Sequence, residues 1–267
     1  MELPLVSALF VTYKRFDHLN RAVEAFRRNT DYPKIEVVIA DDGSGPEIQE
    51  EIRGVAADGY ALSPKNRGLG ANNNAGLQLC HGKYLLMIQD DWVCQGPPGY
   101  LTEAVKVMEA NPDVGIINFA GAPNPPDLSR RLAGSEEPCY ITPLPLENGH
   151  HETFLYSDQP HLQSMEAMRL VGPYREEPMV RSEIRYCRSW RDQPTFRTAV
   201  FPAWHLKVFQ CDETVASYSA AMFSRRSIAT LLPLAQWLKR HCQPVYRVSR
   251  AFFYSCMKVL EELRIVK

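Results

Sequence analysis

No apolar run in this chain approaches the ~20 residues that a membrane-spanning helix needs, and no two cysteines stand in a C-x-x-C pair. The seven cysteines (Cys80, Cys94, Cys139, Cys187, Cys211, Cys242 and Cys256) are scattered and odd in number. That suits reduced thiols better than a disulfide framework or a zinc site. Charge of one sign is also missing: 30 Lys and Arg face 31 Asp and Glu, for a net charge of −1. An overall electrostatic case for nucleic acid is therefore absent. Met1-Glu2-Leu3-Pro4 has neither the basic nor the apolar region of a signal peptide. There are no internal repeats and no low-complexity tract. The expected location is cytoplasmic, with a peripheral place at the inner face of a membrane left open by the C-terminal region.

What the chain does have is apolar strands alternating with amphipathic stretches. Leu5–Tyr13, Ile35–Ala40, Tyr84–Ile88 and Val114–Phe119 read as buried strands, with a short one at 60–62. Phe16–Arg28, Pro46–Val55, the stretch from Asn66 toward Cys80, and Leu101–Ala110 read as helices, the first with Asp17 as its N-cap. This order predicts an α/β fold, a mostly parallel sheet flanked by helices. Regular alternation stops near Ala120. Beyond it, Tyr140–Leu146 reads as a strand, Gln163–Val171 as a helix and Ser182–Trp190 as another. Thr198–Phe201 reads as a strand continuing through Trp204-His205.

Three polar sites each follow a predicted parallel strand: Thr12-Tyr13, Asp41-Asp42-Gly43-Ser44 and Asp90-Asp91. In a parallel sheet all three lie at the carboxyl edge and face one crevice. An acid after an early strand can accept from a base N–H or a ribose hydroxyl. Adjacent carboxylates repel, and a hard divalent ion, Mg or Mn, relieves that. The pattern describes a nucleotide-diphosphate site. A solvated acidic turn is the plainer alternative for any one of the three taken alone.

The segments Phe10-Val11-Thr12-Tyr13-Lys14-Arg15, Ile39-Ala40-Asp41-Asp42-Gly43-Ser44, Asn66-x-Gly68…Asn74-x-Gly76 and Tyr84 through Asp91 match in order and spacing. Over roughly the first 120 residues the chain resembles the family-2 glycosyltransferases of the GT-A (Rossmann-like) fold. The resemblance implies transfer of a sugar from a nucleotide-diphosphate donor (UDP, GDP or dTDP type) to an acceptor hydroxyl with inversion, assisted by Mg or Mn. The implied acceptor is a glycan, a lipid-linked molecule or a small molecule. It places Thr12, Tyr13 and Arg15 at the nucleotide, gives Asp41 the base contact, and has Asp42 and Ser44 shape the turn. Asn66, Arg67 and Gly68 lie beside the nucleotide, and Asp90 near the ribose or sugar. Asp91 is the direct metal ligand. The sequence departs from the family at Gln89, where an Asp is frequent, and at Asn72, where a small residue is usual.

In the second half, Glu183 falls at the family's general-base position, with Arg185 where a second acid is common. Glu176 and Glu177 are its competitors, and a helix N-terminal acid is the plainer alternative. His205, in Pro202-Ala203-Trp204-His205, stands at the late histidine that helps hold metal or diphosphate; an ordinary half-buried histidine is its alternative. Trp92, Glu177 and Arg188 are candidate sugar or acceptor contacts, and Arg67 and Arg188 candidate diphosphate contacts. His161, with His150 and His151, reads as a loop residue.

The expected organisation is a nucleotide-sugar half at 1–120, an acceptor and base half at 121–225, and a basic helical extension at 226–267. In that extension Arg225, Arg226, Lys239 and Arg240 are followed by further basic and aromatic residues. It reads as helices packing on the domain or on a second copy as a homodimer, or as an anionic-membrane contact. Thr12-Tyr13-Lys14-Arg15 contains no glycine, which argues against a sugar-nucleotide pyrophosphorylase. A catalytically decayed scaffold that only binds a nucleotide sugar is the remaining alternative, and Gln89 keeps it open.

Overall fold

The computed structural model describes residues 3–119, 127–142, 156–176, 179–204 and 207–212. The expected acceptor and base half at 121–225 is thus described only in part. Glu177, His205, His150, His151 and the whole 226–267 extension lie outside the described residues.

Ten strands and six helices are described. They run β1 (Val6–Thr12), α1 (Phe16–Asn29), β2 (Ile35–Asp41), α2 (Pro46–Gly54), β3 (Gly59–Leu62), α3 (Leu69–Leu77), β4 (Tyr84–Gln89) and β5 (Trp92–Cys94). Then follow α4 (Tyr100–Ala110), β6 (Val114–Asn118), β7 (Tyr140–Ile141), β8 (His161–Ser164), α5 (Met165–Val171), α6 (Met179–Asp192), β9 (Arg197–Val200) and β10 (Phe209–Cys211). The main sheet has eight strands in the order β3-β2-β1-β4-β8-β6-β9-β7. β3, β2, β1 and β4 are mutually parallel, and β6 and β9 run the same way. β8 is antiparallel to both β4 and β6, and β7 is antiparallel to β9. A second, two-stranded sheet pairs β10 with β5.

The strands of the parallel half are apolar on both faces because helices cover both. On one face Val6, Ala8 and Phe10 of β1 meet Leu19, Val23 and Phe26 of α1 and Leu101 and Val105 of α4. On the other, Leu9, Val11, Val38 and Met87 meet Tyr186, Cys187 and Trp190 of α6. Successive residues of one strand feed opposite cores, as the period of two demands. Chain order runs outward from β1 through β2 to β3, then returns to β4 on the other side of β1. The β1–β4 boundary is therefore where strand order reverses, and open α/β sheets bind ligands there.

Several expectations are corrected. Arg15, not Asp17, is the N-cap of α1, and Asp17 sits inside the first turn. Gln163 belongs to β8, because its backbone pairs with Leu85 and Ile116 before the chain turns helical at Met165. His161 is likewise a β8 residue with 0 % exposure rather than a loop residue. The strand at β9 stops at Val200; Trp204 closes a turn on Phe201, its N–H donating to the Phe201 carbonyl at 3.1 Å. β5, β8 and β10 were too short, at three or four residues, to show a periodic signal.

Candidate functional site

β1, β2 and β4 deliver their last residues to one edge, in register: Thr12 pairs with Asp41, and Val11 with Gln89. The loops beyond are tied together by side chains. The Thr12 hydroxyl donates to Asp90 Oδ2 at 2.7 Å, across the β1–β4 boundary. Arg15 reaches both acids of the pair, with Nη1 3.4 Å from Asp90 and 3.7 Å from Asp91.

Asp41 is fully enclosed. Its Oδ2 accepts from the N–H of Gly43 (3.1 Å), the N–H of Ser44 (2.9 Å) and Gln49 Nε2 (2.7 Å), and its Oδ1 from the Ser44 hydroxyl. The carboxylate thus fastens the turn that carries it, a role expected of Asp42 and Ser44. Ser44 Oγ in turn accepts the Lys14 N–H at 2.7 Å and straps the β1 loop to the β2 loop. Asp42 reaches the other way. Its Oδ1 accepts the Arg67 N–H (2.7 Å) and its Oδ2 the Gly68 N–H (2.8 Å), which fixes the loop leading into α3. Burial pushes the Asp42 carboxyl up, and the two N–H donors pull it back.

The turn at Gly43 has φ +80°, and a Cβ there would stand 2.3 Å from the Lys65 carbonyl carbon. Left-handed backbone costs an L-residue about 1–2 kcal/mol, and forced overlap about 1–3 kcal/mol more. Gly43→Ala is expected to destabilise the fold by at least ~2 kcal/mol, read as a lower midpoint in urea; an unchanged midpoint would contradict the close approach of the two loops.

Asp90 and Asp91 follow β4 in a turn before β5. Burial pushes both carboxyls up; the Thr12 hydroxyl and the Arg15 guanidinium pull Asp90 back, and Arg15 pulls Asp91 back. Asp91 Oδ1 is buried and has no hydrogen-bond partner. A buried acceptor without a donor is costly unless something supplies positive charge. Among the described residues no group of three or more His, Cys, Asp or Glu is placed to hold a metal by itself. The chemistry of the site therefore fits a hard ion held by one or two carboxylates, with substrate phosphates supplying further oxygens. Asp212, which sequence reasoning missed, adds charge at this point. Its N–H donates to the Asp91 carbonyl at 2.7 Å, and its carboxylate pairs with Arg21 at 2.8 Å. The β10–β5 pairing brings it there, Cys211 standing opposite Trp92.

Of the remaining candidates, Tyr13 is half-buried with Lys14 Nζ 5.2 Å from its ring centroid, and Asn66 is exposed beside the Gly43 turn. Arg67 makes a two-pronged contact with Glu176, at 2.7 and 2.8 Å. Arg188 lies on the exposed face of α6, where it lines a concavity of about 280 Å³ with Arg175, Arg185, Ser189 and Asp192. Trp92 is 9 % exposed and belongs to the core packed on α1 and α4, so its ring is taken up by packing rather than presented to a sugar. Glu183 lies in α6, where Oε1 accepts the Asp158 N–H at 3.3 Å. Burial pushes its carboxyl up, while that N–H and the Ser157 hydroxyl pull it back. Ser182, just before it, donates to the Arg175 carbonyl at 2.9 Å and anchors the loop at 172–176. The carbonyl and N–H of Tyr174 in that loop are both held by Asn74 of α3, at 2.7 and 3.0 Å. Helix α3 thereby links the loops after β1 and β2 to the Glu183 side.

The model of the family described as glycosyl transferase family 2 matches residues 7–164. The human β-1,4 N-acetylgalactosaminyltransferase 1 is 33% identical over 108 residues, 40% of this chain and 19% of that protein. An uncharacterized glycosyltransferase of Methanocaldococcus jannaschii is 24% identical over 122 residues, 44% of this chain and 41% of that protein. This chain therefore spans less than half the length of these curated relatives. A mannosyltransferase from Pyrobaculum calidifontis, solved in complex with GDP-Man and Mn2+, superposes with a TM-score of 0.58 at 18% identity, covering 92% of this chain and 65% of that one. S. aureus TarS 1–349 in complex with UDP-GlcNAc gives a TM-score of 0.53 at 13% identity, covering 73% and 55%. These structures share the GT-A fold with the chain described here.

Proposed function

We propose, for a chain that belongs to glycosyl transferase family 2, that it moves a sugar from a nucleoside-diphosphate donor to an acceptor hydroxyl with inversion at the anomeric carbon. The observation that carries this reading is the join at the β1–β4 boundary. There Thr12 holds Asp90, Arg15 spans Asp90 and Asp91, and a buried Asp91 oxygen is left without a donor.

The nucleoside end of the donor occupies the rim formed by Thr12, Tyr13 and the loop at 66–68, which Asp42 holds through two N–H groups. Asp90, fixed by Thr12, stands at the ribose or sugar. Asp91 is the protein's ligand to a divalent ion, Mg or Mn. When bound, that ion stabilises the negative charge that builds on the leaving diphosphate. Glu183 accepts the proton of the acceptor hydroxyl. The acceptor oxygen bonds to the anomeric carbon on one side as the carbon–oxygen bond to the diphosphate breaks on the other. The nucleoside diphosphate leaves with that electron pair. The mannosyltransferase neighbour carries GDP-Man and the TarS neighbour UDP-GlcNAc, which supports a donor of this class.

Hydrolysis and transfer assays with GDP-, UDP- and dTDP-sugars and Mn2+ test the reading. Turnover of one nucleotide class is expected; tight nucleotide binding without turnover of any donor would favour a scaffold that only binds. Asp42→Ala is expected to release the loop at 66–68 and weaken nucleotide affinity about tenfold or more, since two hydrogen bonds to a charged acceptor are lost at about 1.5–3 kcal/mol each. Titration calorimetry with the active nucleotide measures it, and unchanged affinity would remove that loop from the site.

A further inference from the structure

Around Glu183 lies a cluster that neither the sequence motifs nor the donor site uses. The segment at 156–160 leads into β8 and carries Tyr156, fully buried, and Asp158. The Tyr156 hydroxyl lies 2.7 Å from Asp158 Oδ1, to which it donates, and 2.6 Å from the Tyr174 hydroxyl. The Tyr174 ring stacks on Tyr186 of α6, with centroids 4.0 Å apart, and Tyr156 meets Tyr186 edge-on at 4.6 Å. Within this aromatic box the Asp158 N–H donates to Glu183 at 3.3 Å. One residue thus both binds the Glu183 carboxylate through its backbone and sets a second carboxyl beside it.

We propose that Asp158 is a positioning residue for Glu183. Its N–H orients the Glu183 carboxylate, and its own carboxyl, held by Tyr156, governs how strongly Glu183 draws the acceptor's proton. This rests on Glu183 being the base.

Two half-buried carboxyls set side by side against the tyrosines do not ionise independently. Burial and the Glu183 charge push Asp158 up to about 7, against the pull of the Tyr156 hydroxyl. Burial raises Glu183 as well, but the Asp158 N–H and the Ser157 hydroxyl favour its ionised form. The pair therefore titrates as a unit in two steps, with the donors favouring Glu183 as the site ionised in the first and Asp158 holding a proton toward neutrality. Among the described residues, the groups facing the pair include Tyr156 and Ser157 from their own segment, His161 from β8, Tyr174 from the loop at 172–176, and Tyr186 from α6. Burial keeps the phenols neutral, raising Tyr156 and Tyr174 well above their ordinary value and Tyr186 to about 12. Burial lowers His161, whose ring nitrogens contact the Gln159 carbonyl at 2.7 Å and Gln163 Oε1 at 3.2 Å. Of these groups, the two carboxyls are the ones that titrate toward neutral pH. Once Asp158 ionises, its charge makes Glu183 a stronger base.

The folded chain keeps the Asp158 proton to higher pH than the unfolded chain, where an Asp titrates near ~3.9. Folding stability contributed by this group is therefore lost as pH rises from about 4 to about 7, and is level above that. Asn cannot titrate but still accepts the Tyr156 hydroxyl. The experiment measures Tm of the full chain from pH 4.5 to 8.5 for wild type, Asp158→Asn and Glu183→Gln. It is paired with turnover against pH for the nucleotide sugar that the donor assays identify. The Tm of Asp158→Asn relative to wild type is expected to climb by several degrees between pH 4.5 and 7.5. Wild-type turnover is expected to rise in two steps, the second about threefold as the ionised Asp158 strengthens the base; Asp158→Asn is expected to show only the first. Tyr156→Phe removes the donor but keeps the carboxyl, and moves the second step to higher pH. A Tm difference independent of pH, or an Asp158→Asn profile parallel to wild type, overturns the proposal. Undiminished turnover in Glu183→Gln overturns the base reading instead; the Tm arm, which needs no substrate, still reports whether the carboxyls are coupled.

Discussion

Glu183→Gln is expected to lower kcat about a hundred- to ten-thousand-fold, the range over which a positioned general base contributes. Nucleotide affinity should change little. The substitution keeps an Oε1 that can accept the Asp158 N–H, so α6 and the segment at 156–160 are not pulled apart. What is lost is the ability to take a proton. Glu183 has the surroundings a base requires: it is largely withdrawn from water, its carboxyl is raised by burial, and specific donors hold one oxygen. Steady-state transfer and a separate nucleotide titration read the two quantities. A fall in affinity that accounts for the whole loss would make Glu183 a structural residue.

Asp91→Asn is expected to reduce transfer by about a thousandfold or more, corresponding to several kcal/mol of charge stabilisation lost at the departing diphosphate. Asp91 carries this expectation rather than Asp90 because their surroundings differ. Both oxygens of Asp90 already have partners, in Thr12 and Arg15. Asp91 has one oxygen with none. Gln89, just before the pair, contributes no charge, so Asp91 is the carboxylate here with an oxygen open to an ion. Transfer measured over a range of Mn2+ concentrations is the readout. Activity restored to wild type by excess Mn2+ would mean that Asp91 tunes affinity without being required.

The first half of the fold was legible in the sequence because its signals are local and repeated. β1, α1, β2, α2 and β4 each have a run long enough for a period to show, and the expected ends fall within two residues of those observed. The carboxyl-edge sites follow from strand direction alone. The second half resists such reading for a physical reason. β8 is four residues long, antiparallel between two strands that run the other way, and its placement depends on partners far back in the chain, His161 standing opposite Met87, 74 positions earlier, and Asn118, 43 positions earlier. No periodic pattern announces such a strand, so His161 read as a loop residue and Gln163 as helical. Asp158 and Asp212 were missed for the same reason. Each reaches its carboxylate neighbour through tertiary pairing, Asp158 through the Tyr156–Tyr174–Tyr186 box and Asp212 through β10 on β5. Trp92 shows the converse. Its position beside an acidic motif suggested sugar stacking, yet β5 turns it into the core.

The edge joining Thr12, Asp42, Asp90 and Asp91 is expected to hold a nucleoside diphosphate together with a metal. Thermal unfolding of wild type and Asp91→Asn with UDP, GDP or dTDP, each with and without Mn2+, tests it most directly, because a ligand that binds only the folded state raises its midpoint. One nucleotide is expected to raise Tm of the wild type, and Mn2+ to add a further increment. Asp91→Asn is expected to keep the nucleotide shift and lose the increment. No shift with any nucleotide, or an equal Mn2+ increment in Asp91→Asn, would contradict the claim.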